Sequence, residues 1–111
     1  MIAWQHLVSV DQLDQITEQS YQFPVLIFKH SSRCNVSAIA KMRLEDQWSY
    51  VEGANKIYFL DILRHRDVSN AVADKFSVYH ESPQLLLIRK GDCTYESSHF
   101  DIHLNDVKEH L

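Results

Sequence analysis

The sequence predicts one α/β domain over residues 1–111, with helices on both faces of a mixed sheet of four or five strands. Three observations support this prediction. Short apolar runs alternate with segments whose apolar residues have helical spacing. The runs are nearly continuous, which is typical of strands buried on both faces. Near the C-terminus, Lys90-Gly91-Asp92 is a tight-turn signal that joins two strands as an antiparallel hairpin.

The first elements are a short edge strand and a helix. We predict the strand at Ala3–Leu7. Ser9 is the predicted N-cap of a helix that runs to about Glu18, and Gln12, three residues further on, would complete a capping box.

Two strand–helix units follow. The apolar run Val25–Phe28 and the run Lys56–Ile62, which a turn at Gly53-Ala54-Asn55 introduces, predict buried parallel strands. The helix after the first run spans about 35–48, and the helix after the second spans Arg66–Tyr79. Their apolar faces are predicted to consist of Val36, Ile39, Ala40, Leu44 and Trp48 and of Val68, Ala71, Val72, Phe76 and Tyr79.

The last third of the chain predicts the hairpin and a closing helix. Pro83 precedes the apolar strand Leu85–Ile88, and the turn leads into a second strand, Thr94–Ser98. Asp101 or Asn105 is expected to cap the closing helix, whose inward residues are Leu104, Val107 and Leu111. The order is therefore β-α-β-α-β-α-β-β-α, with parallel strands and right-handed crossovers in the β-α-β units.

Composition excludes several classes of function. The formal net charge is −4 and no stripe of Lys and Arg is present, so nucleic-acid binding is not expected. Gly53 and Gly91 are the only glycines, so no Gly-rich phosphate-binding or dinucleotide-binding loop can be formed. No apolar run is long enough to span a bilayer and no signal-peptide pattern begins the chain, so we expect a cytoplasmic protein that does not bind membranes. In that compartment the two cysteines are expected to be thiols.

Cys34 is the first candidate for a catalytic residue. It lies in the polar turn between the strand Val25–Phe28 and the helix that follows. Free backbone N–H groups and the positive end of the helix dipole favour a thiolate at such a position, and Arg33 adds a positive charge. A cysteine at a strand–helix junction can also be an inert small residue, and the local sequence alone leaves both interpretations open.

Ser37 gives the segment a C-x-x-S pattern. In a C-x-x-C motif the second sulfur attacks the mixed disulfide and releases the partner, whereas a serine oxygen cannot form a disulfide. We therefore expect Ser37 to donate a hydrogen bond to the Cys34 thiolate. We also expect the site to exchange one thiol at a time and to require a second thiol from outside.

The order of elements gives Pro83 a place in the same site. Strand, cysteine turn, helix, strand, helix, proline, strand and hairpin is the order of a thioredoxin-like fold, in which this proline is cis and faces the active cysteine. A proline at the start of a strand can also be no more than its boundary. The agreement of Cys34, Ser37 and Pro83 favours a reactive thiol.

Three segments resemble the monothiol bacilliredoxins of low-GC Gram-positive bacteria. They are Phe28–Ser37, His80–Gln84 with the apolar strand that follows it, and Tyr95–Phe100. The resemblance covers nearly the whole chain and implies a thioredoxin-like fold. The family usually has T-C-P-x-S, and here Asn35 stands in place of the proline. Asn35 keeps an N–H that proline lacks. We therefore expect this difference from the family to affect the redox potential and the rate more than the type of reaction.

The resemblance implies a thiol–disulfide oxidoreductase that removes bacillithiol, a low-molecular-weight thiol, from S-bacillithiolated proteins. Cys34 would attack the bacillithiol sulfur, the protein would leave reduced, and free bacillithiol or its reductase would regenerate Cys34. Bacillithiol is then a co-substrate, and no tightly bound cofactor or metal is expected. The catalytic residues carried over are Cys34, Ser37 and Pro83. The residues expected to contact bacillithiol flank them: Arg33, Asn35 and Ser82.

Two other classes of function stay open at this stage. Monothiol relatives with C-x-x-S sites can hold an iron–sulfur cluster between two subunits, although the glycine pair of glutaredoxin-like carriers is missing here. A redox-inactive interaction module with the same fold is the other. Seven histidines also suggest a metal, and His30, His80 and His99 could approach Cys34. One cysteine with scattered histidines is nevertheless a poor match to a closed zinc site, and His30 or His80 could instead tune the thiolate.

Cys93 and Asp61 are predicted to have structural roles. The strand from Gln84 to Lys90 covers roughly 20 Å, so Cys93 should lie at the end of the sheet away from Pro83 and out of reach of Cys34. A peripheral redox or intermolecular role for Cys93 is the alternative. Asp61 is expected to cap the turn after its strand rather than to act as a buried acid.

Overall fold

The computed structural model describes residues 2–48 and 56–111. Its strands are β1 Gln5–His6, β2 Val25–His30, β3 Lys56–Asp61, β4 Gln84–Arg89 and β5 Asp92–Ser98. Its helices are α1 Gln12–Gln19, α2 Asn35–Gln47, α3 Arg66–Phe76 and α4 Leu104–Lys108, with a 3-10 helix at His99–Asp101 before α4. The predicted turn at Gly53-Ala54-Asn55 lies outside the described residues.

The five strands form one mixed sheet in the order β1-β3-β2-β4-β5. β3 runs parallel to both β1 and β2, as the β-α-β units require. β4 runs antiparallel to β2, with Lys29 opposite Gln84, and β5 runs antiparallel to β4. The predicted α/β class with a mixed sheet is confirmed.

Helices cover both faces of the sheet because the central strands are apolar on both sides. Side chains alternate along β2, so Val25 and Ile27 pack with α1 and α3, whereas Leu26 and Phe28 pack with α2 and α4. All four side chains are fully buried. Burying one such side chain contributes roughly 1.5–3 kcal/mol, so the two clusters hold the sheet as a rigid frame for the loops at its ends.

The N-terminal elements differ from the prediction at their ends. β1 is limited to Gln5–His6 instead of Ala3–Leu7. Asp11, not Ser9, is the N-cap of α1. The glutamine half of the predicted capping box nevertheless forms, because the side-chain oxygen of Gln12 accepts the backbone N–H of Ser9 at 3.0 Å.

The buried face of α2, the end of α3 and the N-cap of α4 also differ from the prediction. The sheet-facing side of α2 is formed by Ser37, Ala40 and Leu44, so the predicted core residue Ile39 is exposed. α3 ends at Phe76 because Ser77 adopts the left-handed conformation, with φ 54°. The chain then leaves the helix axis, and the predicted core residue Tyr79 is 93% exposed. The N-cap of α4 is His103, not Asp101 or Asn105.

Two local predictions are confirmed in detail. Lys90 and Gly91 have φ angles of 52° and 82°, the positive values that a two-residue type I′ hairpin turn requires. At the end of β3, a side-chain oxygen of Asp61 accepts the backbone N–H groups of Leu63 and Arg64 at 3.0 and 3.2 Å. Asp61 is therefore a turn cap, as predicted.

Candidate functional site

Cys34 is the N-cap of α2, just beyond the carboxyl end of β2. Its backbone is extended, its N–H donates to the Ser31 carbonyl at 3.1 Å, and its own carbonyl accepts the N–H of Ala38 at 3.2 Å. The side chain is half-buried and carries a free thiol. The apolar strand and the polar turn that follows it thus place the sulfur at the first turn of α2, where backbone N–H groups have no helical partner.

The Ser37 hydroxyl is bonded to β2 and the turn rather than to Cys34. Ser37 is fully buried on the sheet-facing side of α2. Its Oγ accepts the Ser31 N–H at 3.1 Å and lies 2.6 Å from His30 Nδ1. Within the described residues the Cys34 sulfur is not among its hydrogen-bond partners. The prediction that Ser37 donates a hydrogen bond to Cys34 is therefore corrected. The hydroxyl is instead engaged by the Ser31 N–H and the His30 ring.

The His30 ring sits in an aromatic and partly buried environment. Its centroid lies 5.1 Å from that of Phe59 and 5.9 Å from that of Phe28. Burial holds the pKa of His30 below its ordinary value, and the positive charge of Lys41 adds to that effect, whereas Asp61 opposes it. The uncharged ring therefore prevails at neutral pH. It carries a proton on one nitrogen, and its other nitrogen can accept a hydrogen bond.

The Ser82–Pro83 peptide bond is cis, as predicted. Because Lys29 pairs with Gln84, Pro83 lies where β4 begins, at the end of the sheet where β2 runs into the cysteine turn. Pro83 is buried, and its carbonyl accepts the N–H of His99 at 3.0 Å. The antiparallel register thus brings the proline to the same end of the sheet as the thiol.

The three expected contacts of the co-substrate occupy different environments. Arg33 and Asn35 are exposed on either side of Cys34 in the chain. Ser82 is partly buried, and its Oγ has no accessible surface and no hydrogen-bond partner among the described residues. Arg33 and Asn35 are thus open to an incoming molecule, and Ser82 lies beside Pro83.

Sequence reasoning missed a buried polar cluster at this end of the sheet. Lys29 is fully buried in β2, and its Nζ lies 3.1 Å from both the Ser69 carbonyl and His80 Nδ1. The Ser69 hydroxyl lies 3.2 Å from the same ring nitrogen. The signal for it is a lysine two residues after Ile27, on the face of β2 that α1 and α3 cover. The cluster ties β2 and α3 to the segment that leads to Pro83.

We expect Lys29→Met to raise the free energy of unfolding at pH 7 by about 1–2 kcal/mol. Burial lowers the pKa of Lys29 from 10.5 to about 8, so the folded state holds this proton less firmly than the unfolded state. A shift of this size corresponds to roughly 3 kcal/mol, from which the lost hydrogen bonds of Nζ subtract.

The pH dependence of this difference in stability provides the control. Below pH 8 Lys29 is charged in both the folded and the unfolded state. The full free-energy cost of burying that charge then destabilises the wild-type protein. Between about pH 8 and pH 10.5 the folded state loses the proton first, so wild-type stability rises relative to that of the variant. Urea unfolding at pH 7 and pH 10 measures both. An equal advantage of the variant at the two pH values would contradict the assignment.

Cys93 lies at the other end of the sheet, as predicted. It pairs with Ile88, which is about 13 Å along β4 from Gln84. Its Sγ donates to the Tyr95 carbonyl at 3.3 Å, and burial raises its pKa to about 11. At neutral pH fewer than about one such thiol in a thousand is ionised. Position and ionisation both favour a structural thiol.

Two of the three histidines expected near Cys34 have other partners in the structure. His80 belongs to the lysine cluster, and His99 Nε2 lies 3.4 Å from a carboxylate oxygen of Glu81. In residues 2–48 and 56–111, no three His, Cys, Asp or Glu side chains lie together as a metal site would require. In the same ranges no helix has the length and hydrophobicity needed to cross a membrane.

Comparisons with known proteins extend this description. A family model described as monothiol bacilliredoxin BrxC matches residues 5–107. Among solved structures, a protein proposed to be an oxidoreductase with a thioredoxin fold is 29% identical, with a TM-score of 0.82 over 96% of this chain and 91% of that one.

Two thioredoxins are similar in fold at lower identity. The reduced thioredoxin pre-protein of Schistosoma mansoni is 13% identical, with a TM-score of 0.73 over 96% of each chain. A mutant thioredoxin from Halobacterium salinarum is 18% identical, with a TM-score of 0.69 over 97% of this chain and 87% of that one. The predicted thioredoxin-like fold is therefore confirmed.

Proposed function

We propose that this chain, which belongs to the monothiol bacilliredoxin family BrxC, is a thiol–disulfide oxidoreductase that uses Cys34 to remove bacillithiol from S-bacillithiolated proteins. The observation that carries the proposal is the half-buried free thiol of Cys34 at the start of α2, with Ser37 where a dithiol enzyme has its second cysteine. A reducing, cytoplasmic compartment suits this chemistry, because both cysteines are thiols.

The reaction is a single exchange of sulfur partners. The Cys34 thiolate attacks the bacillithiol sulfur of the mixed disulfide. A disulfide between Cys34 and bacillithiol forms as the bond to the substrate protein breaks, and the substrate cysteine leaves as a thiolate that takes a proton from water. Neither Ser37 nor the distant Cys93 can displace the bound bacillithiol. It therefore stays on Cys34 until free bacillithiol, or a reductase of it, attacks that disulfide.

The flanking residues are assigned to bacillithiol recognition. Arg33 and Asn35 are exposed beside the thiol, and Ser82 precedes the cis proline. Asn35 offers a backbone N–H at the first helical position, one donor more than the proline common in the family. Bacillithiol is a co-substrate in this scheme, held only for the duration of a turnover.

Mass spectrometry of the wild-type protein, mixed with a protein that carries a bacillithiol mixed disulfide, tests the proposal. We expect one bacillithiol adduct on the peptide that contains Cys34 and an equal amount of newly reduced substrate protein. An adduct on Cys93, or a substrate that stays oxidised, would contradict the proposal. A brown protein from anaerobic purification would instead favour the iron–sulfur carrier.

A further inference from the structure

His30 and Ser37 form a short hydrogen bond beside the turn that carries Cys34. Ser37 Oγ lies 2.6 Å from His30 Nδ1 and accepts the Ser31 N–H at 3.1 Å. A hydroxyl group has one proton to donate and two lone pairs to accept with. The direction of the Ser37 proton therefore depends on whether the imidazole nitrogen accepts or donates.

Two arrangements satisfy this geometry. With Nδ1 unprotonated, Ser37 donates its proton to the ring. With Nδ1 protonated, the ring and the Ser31 N–H both donate to Ser37 Oγ, and the hydroxyl proton must turn to another acceptor. Ser37 is the third residue of the helix whose N-cap is Cys34, and side chains three residues apart on a helix are neighbours. The Cys34 sulfur is the neighbouring side-chain acceptor that this spacing offers.

We propose that His30 is a positioning residue that determines whether the Ser37 hydroxyl faces the imidazole or the Cys34 sulfur. A hydroxyl turned to the sulfur stabilises the Cys34 thiolate, both before it attacks and when it leaves during regeneration. The consequence for turnover rests on the proposed function, whereas the direction of the hydroxyl does not.

The surroundings of His30 select the arrangement. The charged groups that face the ring are Lys41 from α2 and Asp61 from β3. Burial and Lys41 lower the pKa of His30, while Asp61 and a hydrogen bond to the Ser37 backbone raise it, and the lowering effects prevail. At neutral pH the ring is therefore uncharged, and with its one proton on Nε2 it accepts the Ser37 proton at Nδ1 and holds it away from the sulfur. Acidification below the pKa of His30 releases it.

The wild-type protein provides the first test. Two-bond ¹H–¹⁵N correlation spectra distinguish the two neutral tautomers of histidine. At pH 7.5 we expect His30 to carry its proton on Nε2, with Nδ1 as the acceptor, and to become doubly protonated on acidification. A proton on Nδ1 at pH 7.5 would overturn the proposal, and this measurement depends on no substitution.

His30→Leu supplies the second test, because it removes the acceptor and leaves the Ser37 hydroxyl free at every pH. We expect the rate of Cys34 alkylation by iodoacetamide at pH 6 to rise about threefold. A hydrogen bond to the sulfur favours the thiolate, which is the reacting form, and the lower nucleophilicity of the stabilised thiolate removes part of the gain. His6→Leu is the matched control, since the His6 ring also packs on Phe59, at 5.8 Å, but is exposed. Its rate should equal that of wild type.

Ser37→Ala shows whether His30 acts through the hydroxyl. In that background His30→Leu should change the alkylation rate by less than about 1.5-fold, because no hydroxyl is left to redirect. A threefold rise that persists in the Ser37→Ala background, or no rise in the wild-type background, would overturn the inference. Alkylation requires no bacillithiol. A protein that shows this coupling but transfers no bacillithiol would therefore refute the proposed function alone.

Discussion

Cys34→Ser is expected to abolish bacillithiol transfer, with the initial rate at neutral pH falling by at least about a thousandfold. A serine hydroxyl is not ionised at this pH and does not attack a disulfide. Cys93 cannot replace it, because its pKa is raised to about 11 and it pairs with Ile88 at the far end of β4. The rate is measured as the appearance of reduced substrate protein, with the substrate mixed disulfide in excess.

Cys93→Ser is the matched control for this experiment. The hydroxyl can donate to the Tyr95 carbonyl as the thiol does, so the hairpin should keep its structure. We expect transfer within about twofold of the wild-type rate. Substantial transfer by Cys34→Ser, or its loss in Cys93→Ser, would move the chemistry to the other thiol and would be incompatible with the monothiol mechanism.

The sheet could be predicted from the sequence because its cause is local. β2 and β4 each contain four consecutive apolar residues, so these segments were expected to be buried on both faces and covered by helices. The glycine and lysine of the hairpin turn identified the antiparallel pair in the same way. The entry to α2 followed from the end of one apolar run and the start of a helical one, which placed Cys34 at the N-cap.

Contacts across elements could not be predicted in this way. Lys29 and His80 meet although 51 residues separate them, and they do so because α3 packs on the face of β2 that carries Lys29. Ser37 was expected to donate a hydrogen bond to the sulfur because its spacing was the only information that related it to Cys34. The sheet-facing orientation of α2 instead gives its hydroxyl to His30 and the turn. The exposure of Tyr79 likewise follows from one left-handed residue, Ser77, where no glycine marks the end of the helix.

Ser37→Cys is expected to convert the one-thiol exchange into a two-thiol exchange. Side chains three residues apart in the first turn of a helix are neighbours, close enough for a disulfide. The introduced thiol would attack the disulfide between Cys34 and bacillithiol from within the molecule, and bacillithiol would leave. An intramolecular attack has an effective concentration of millimolar or more, so the lifetime of the adduct should fall at least about a hundredfold. Acid-quenched mass spectra over time measure it, and the product is lighter than the reduced protein by two hydrogens.

The His30 ring would also activate a thiol introduced at position 37. Its Nδ1 lies 2.6 Å from the present Ser37 hydroxyl. In the tautomer with the proton on Nε2, it is placed to take the proton of a thiol introduced there and to leave a thiolate. Ser37→Ala, which removes the hydroxyl and adds no thiol, is the control and should keep the long-lived adduct. If the adduct persists in Ser37→Cys as well, the side chain at this position stays directed at the sheet and never reaches the sulfur. In that case the orientation of α2 would keep the site monothiol even with a second thiol at this position.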